Sequence, residues 1–123
     1  MRERAADIVF AVSMRTRSGG FVEVAVTDKG LAYCTCREGG EGRTRTEEIK
    51  KTRRDIDLFL GAVDDVGVAQ WQRRYGDASL PESWHVVLEV GGRLLSWCGS
   101  GEYPPGWDEL CRLVEDLTGE PLR

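Results

Sequence analysis

Every tryptophan of this chain, two of its three tyrosines and three of its four prolines fall between residues 71 and 118. An aromatic side chain carries roughly 150–250 Å² of surface into a core, so indoles placed this close in sequence mark the structural anchor of the domain. A chain of 123 residues is the common size for one domain and buries enough surface for one core. We therefore expect a single domain over residues 1–123, with flexible ends at 1–6 and 120–123.

Hydrophobic periodicity supplies the elements. Ile8, Phe10, Val12 and Met14 alternate with Val9, Ala11 and Ser13, the period of a strand. Phe21 to Thr27 reads as a second strand, Asp28-Lys29-Gly30 as a tight turn, and Leu31 to Arg37 as a third strand. Arg43 to Lys50 adds a fourth that is polar on both sides, as a charged edge strand would be. Thr52 followed by Asp55 signals a helix start. Ile56, Phe59, Leu60 and Val63 then form one apolar stripe up to about Asp65, and Gly67 is a stop. Trp71 and Tyr75, four apart, suggest a short second helix over Val68 to Tyr75.

Trp84 to Val90 and Arg93 to Cys98 flank Gly91-Gly92, a two-residue hairpin turn. Pairing Val90 with Arg93 sets Leu88 against Leu95, Val86 against Trp97 and His85 against Cys98. Trp84, Val86, Leu88, Leu95 and Trp97 then line one face. Trp107, Leu110, Cys111, Val114 and Leu117 recur at helical spacing before Gly119. The expected class is α+β: an antiparallel sheet, made of a three- to four-stranded meander plus a C-terminal hairpin, with two main helices packed on one face.

Trp71-x-x-x-Tyr75, a strand opened by Trp84, and a glycine loop leading to Tyr103-Pro104-x-x-Trp107 together resemble a pattern in small bacterial α+β proteins of unassigned function. The resemblance covers about residues 49–117. It brings neither a family name nor an activity.

Composition narrows the setting. An apolar fraction of 41% and a charged fraction of 31% suit a soluble protein, and no apolar run approaches the roughly 20 residues of a membrane span. The charged start Met1 to Asp7 lacks the features of a secretory leader, which points to the cytoplasm and to reduced thiols at Cys34, Cys36, Cys98 and Cys111. The formal net charge of −4 conceals a division: residues 1–54 hold twelve basic and eight acidic residues, and residues 55–123 hold five and thirteen. Such polarity steers association with a charged partner.

Candidate chemistry is sparse. Cys34-x-Cys36 would need His85, Cys98 or Cys111 to complete a zinc set, and cysteine is as readily a core residue, so no metal is expected. His85 is the sole histidine, and its cross-strand pairing with Cys98 lacks a third, orienting group for catalysis. Gly39-Gly40-x-Gly42 and Gly99-x-Gly101 lack the lysine and hydroxyl of a phosphate loop. Arg43, Arg45, Lys50, Lys51, Arg53 and Arg54, with Arg15 and Arg17, form the densest basic group. A sequence pI of about 5.1 argues against nucleic acid as its target. Tyr103, beside two prolines, has the stiffness of a good interface residue.

These observations favour a non-enzymatic protein-binding domain without a cofactor, of the inhibitor, adaptor or immunity-like kind, that meets an acidic partner. Arg43, Arg45, Arg53, Arg54, Tyr75, Glu102 and Tyr103 are the candidate contacts. The alternative is a small-ligand or metal-binding domain using a face formed by Cys34, Cys36, His85 and Cys98.

Overall fold

The computed structural model describes residues 8–15, 20–37, 44–76, 82–120 and 122. The proposed loose start at 1–6 and Arg43 lie outside them. The strands are β1 (Ile8–Arg15), β2 (Phe21–Thr27), β3 (Leu31–Arg37), β4 (Arg45–Lys50), β5 (Arg74–Gly76), β6 (Ser83–Val90) and β7 (Arg93–Ser100). The helices are α1 (Arg53–Val66) and α2 (Trp107–Thr118). The strands join in one sheet of order β4-β3-β2-β1-β6-β7-β5, antiparallel except where β5 runs parallel to β7.

The meander and the hairpin follow from short-range chemistry. Val90 pairs with Arg93, Leu88 with Leu95, Val86 with Trp97 and His85 with Cys98, the register that the Gly91-Gly92 turn implies. Both glycines take the positive φ that a two-residue turn demands, 58° and 82°, conformations costly for a side chain bearing a β-carbon. At the head of α1 the Thr52 hydroxyl accepts from the Asp55 N–H at 3.0 Å, and the Asp55 carboxylate accepts from the Thr52 N–H at 3.1 Å. This reciprocal box satisfies two amides that the first turn would otherwise leave open.

One set of cross-strand rows carries the core. Val24, Val12, Val86 and Trp97 stand side by side on four neighbouring strands and are each at most 2% exposed. Phe10 belongs to the same set and meets Phe59 of α1 edge-on, ring centroids 5.0 Å apart. Trp84, also of that set, meets Trp107 of α2 at 4.8 Å. Ile56, Phe59 and Val63 of α1 join Trp107, Leu110, Cys111, Val114 and Leu117 of α2 in the same buried cluster. These are the stripes that the helical spacing predicts.

Two local readings are corrected. Val68 to Tyr75 is not a helix: Val68–Gln70 makes a single 3-10 turn, and Arg74–Gly76 is β5. The Cys98 N–H donates to the Arg73 carbonyl at 3.1 Å, so this segment takes its backbone bonds from the sheet and not from itself. Strict alternation also fails at the start of β1, where a register shift between Ile8 and Phe10 turns Ile8 outward, 43% exposed, and buries Val9. Such an irregularity inserts one residue and reverses the facing on one side of it. Toward the end of the described residues Leu122 is buried, and its N–H donates to the Glu115 carboxylate at 2.9 Å.

Candidate functional site

Trp71, Tyr75, Trp84, Tyr103 and Trp107 form one aromatic corner. Trp84 is its hub, with ring centroids 6.0 Å from Trp71, 6.0 Å from Tyr75 and 4.8 Å from Trp107. Trp71 and Tyr75 thus meet through Trp84 and not along a helix face. The polar edges of the rings are tied to backbone: Trp71 Nε1–H donates to the Pro105 carbonyl at 2.9 Å and Trp84 Nε1–H to that of Glu102 at 2.8 Å. The Tyr75 hydroxyl accepts from the Gln72 N–H at 2.9 Å. Two candidate contacts therefore have structural work in this corner: Tyr75 through its ring and hydroxyl, Glu102 through its carbonyl. Tyr103 stacks on Trp107 at 5.3 Å with 46% of its surface exposed, so it both packs and presents a face. The tryptophan and tyrosine pattern in the sequence is the signature of this corner.

The basic candidates lie at the other side of the sheet. Among the described residues β4 is the outermost strand, paired only with β3, and Arg45, Thr46, Glu47, Glu48 and Lys50 on it are exposed. The chain continues through Lys51, whose N–H donates to the Gly30 carbonyl at 2.8 Å, into exposed Arg53 and Arg54 at the start of α1. Asp55 sits among them as part of the cap. The hydrogen bonds from the Thr52 backbone and side chain hold its carboxyl below the usual carboxylate range, helped by Lys51 and Arg54. Six strand spacings separate β4 from β5, about 29 Å. Arg45, Arg53 and Arg54 thus make one surface, and Tyr75, Glu102 and Tyr103 another. Arg15, grouped with the basic residues by composition, pairs with Phe21 and Ser83 on β1, three strands from β4.

The alternate rows of the sheet form a third surface. Thr46, Thr35, Glu23, Ser13, His85, Cys98 and Arg74 stand in one row across the seven described strands. Cys34 instead pairs with Val24, and Cys36 with Val22, positions in the set of rows that includes Val12, Met14, Val86 and Trp84. By backbone register, Cys34 and Cys36 thus belong to a different set of rows from His85 and Cys98. The side chains of Cys34 and Cys36 lie outside the described residues. Among the described residues no three His, Cys, Asp or Glu groups gather as metal ligands. Among the described residues neither Cys98 nor Cys111 is in a disulfide.

Two shallow depressions meet at His85. One, of about 280 Å³, includes Arg74, Ser83, His85 and Cys98 in its lining, and the other, of about 300 Å³, includes Ser13, Arg15, Glu23, Ser83 and His85. Sequence reasoning places neither Arg74 nor Ser83 at a site. Arg74 reaches the row through three residues of parallel strand, too short for any periodic signal.

The fold and these surfaces define a small α+β domain with a mostly antiparallel sheet, and among the described residues no helix is long and apolar enough to cross a membrane. No protein-family model matches the chain, and no curated protein matches it in sequence.

Proposed function

We propose that the chain is a cytoplasmic protein-binding domain of the inhibitor, adaptor or immunity-like kind, which acts without catalysis or cofactor and takes an acidic partner at the β4 edge and the start of α1. The observation that carries this reading is the position of β4. Among the described residues it ends the sheet and has a neighbour on one side only, and Arg53 follows three residues after its end. A sheet edge offers a row of backbone donors and acceptors to an added strand. Flanking guanidinium groups favour an acidic strand and speed its encounter. Glu47 and Glu48 on β4 would repel the wrong register, so the edge is selective as well as basic.

The test is capture from the native host followed by mass spectrometry. Wild-type protein is compared with a variant carrying Arg45→Glu, Arg53→Glu and Arg54→Glu. The fold should survive, since surface changes seldom cost more than about 0.5 kcal/mol each, while the partner is lost. Retention of the same partner by the charge-reversed protein moves the contact to Tyr103 and its neighbours at the opposite edge, and refutes the β4 assignment.

A further inference from the structure

We infer that the exposed sheet face around His85 is a binding site for a small phosphate-bearing ligand, a role separate from protein contact at β4. Three independent features of placement converge there. The two depressions share Ser83, Trp84 and His85, so a ligand seated on His85 lies in both. Arg74 stands in the His85 row, two strands away across Cys98, about 10 Å in backbone separation. Arg15 pairs with Ser83 on the strand at the other side, which puts it diagonally from His85 at about 7–8 Å. Arg15, Arg74 and His85 are all exposed, and arginine side chains rising from both flanks can close over the histidine from opposite directions.

The chemistry of this set selects the ligand. Guanidinium groups present planar forks that match phosphate oxygens two at a time. The Ser83 and Ser13 hydroxyls and an imidazole add donors that rotate or switch to suit a tetrahedral anion. Glu23 is the single carboxylate in either lining. It stands beyond Ser13 in the row, so two arginines outweigh it around the shared floor. Depressions of about 280 and 300 Å³ fall at the small end of ligand sites, which favours a small phosphorylated molecule over a macromolecule.

His85 is the only histidine in the chain, so its ring is a clean reporter. Inorganic phosphate is titrated into labelled full-length protein at neutral pH and the His85 ring and Ser83 amide resonances are followed, with chloride at equal ionic strength as reference. The expected result is a saturable shift of both, weakened about tenfold or more by Arg15→Ala with Arg74→Ala and unchanged by Arg53→Ala. Retained amide dispersion in the double variant shows that its fold is intact. Arg15→Lys with Arg74→Lys, which keeps the charge without the fork, should bind between the two. Shifts that chloride reproduces, or a double variant that titrates like wild type, overturn the inference.

Discussion

Gly99 lies directly beneath the indole of Trp84: the two residues are cross-strand partners, and a β-carbon at Gly99 would fall against the ring nitrogen and its neighbouring carbons. The ring can approach the strand this closely only because that carbon is missing. Trp84 is also fastened to the Glu102 carbonyl and to Trp107, so it has little room to retreat. Gly99→Ala should therefore overpack the aromatic corner and cost about 1–3 kcal/mol. Urea unfolding should show a lowered midpoint with an unchanged slope.

Trp97 supports the other half of the hairpin. It is 2% exposed, and Arg73 lies over its ring at 5.5 Å. Trp97→Ala should cost about 3–5 kcal/mol, the usual loss for a large aromatic truncated in a core. Its Nε1–H has no acceptor among the described residues, and an unmet buried donor is itself destabilising. Trp97→Phe, which removes that donor and keeps a ring, should consequently cost clearly less than the alanine change. Equal losses in the two variants would show that the indole nitrogen has a partner.

The capping box at Thr52 and Asp55 gives a pH signature. Because the Thr52 hydrogen bonds lower the folded-state pKa of Asp55, its contribution is present above the unfolded carboxylate pKa of about 3.9 and is lost as pH falls through the lower folded value. Acid unfolding of Asp55→Asn should lack that increment, read as the difference between the two proteins' stability profiles below about pH 4. Thr52→Ala removes the hydroxyl acceptor and should cost about 1 kcal/mol at neutral pH.

Much of this arrangement is legible in the residues. The hairpin register is fixed by Gly91-Gly92, because a two-residue turn leaves no freedom in which residues oppose one another. Both main helices announce themselves through apolar spacing and through Thr52 and Gly119. β5 is not legible, since Arg74–Gly76 is held by a parallel neighbour distant in sequence and three residues carry no period. The turn around Trp71 is misread for a related reason: the four-residue interval to Tyr75 is a real association, but it is mediated by Trp84, and tertiary contact overrides local propensity. The division of Cys34 and Cys36 from His85 and Cys98 depends on how β1 joins the meander to the hairpin, which no local pattern encodes. Arg74, Ser83 and Arg15 come together for the same reason, so the His85 surface is visible only once the sheet is assembled.

Recognition of an acidic partner at β4 and the start of α1 can be read from association kinetics against the captured partner across a range of ionic strength. Surface charges steer encounter over about a Debye length, near 8 Å at 0.15 M salt. The rate should fall steeply with salt for the wild-type protein, and after Arg45→Glu, Arg53→Glu and Arg54→Glu it should be slower at low salt and no longer fall as salt rises, because salt then screens repulsion. An association rate indifferent to salt, or left unchanged by those reversals, would contradict it.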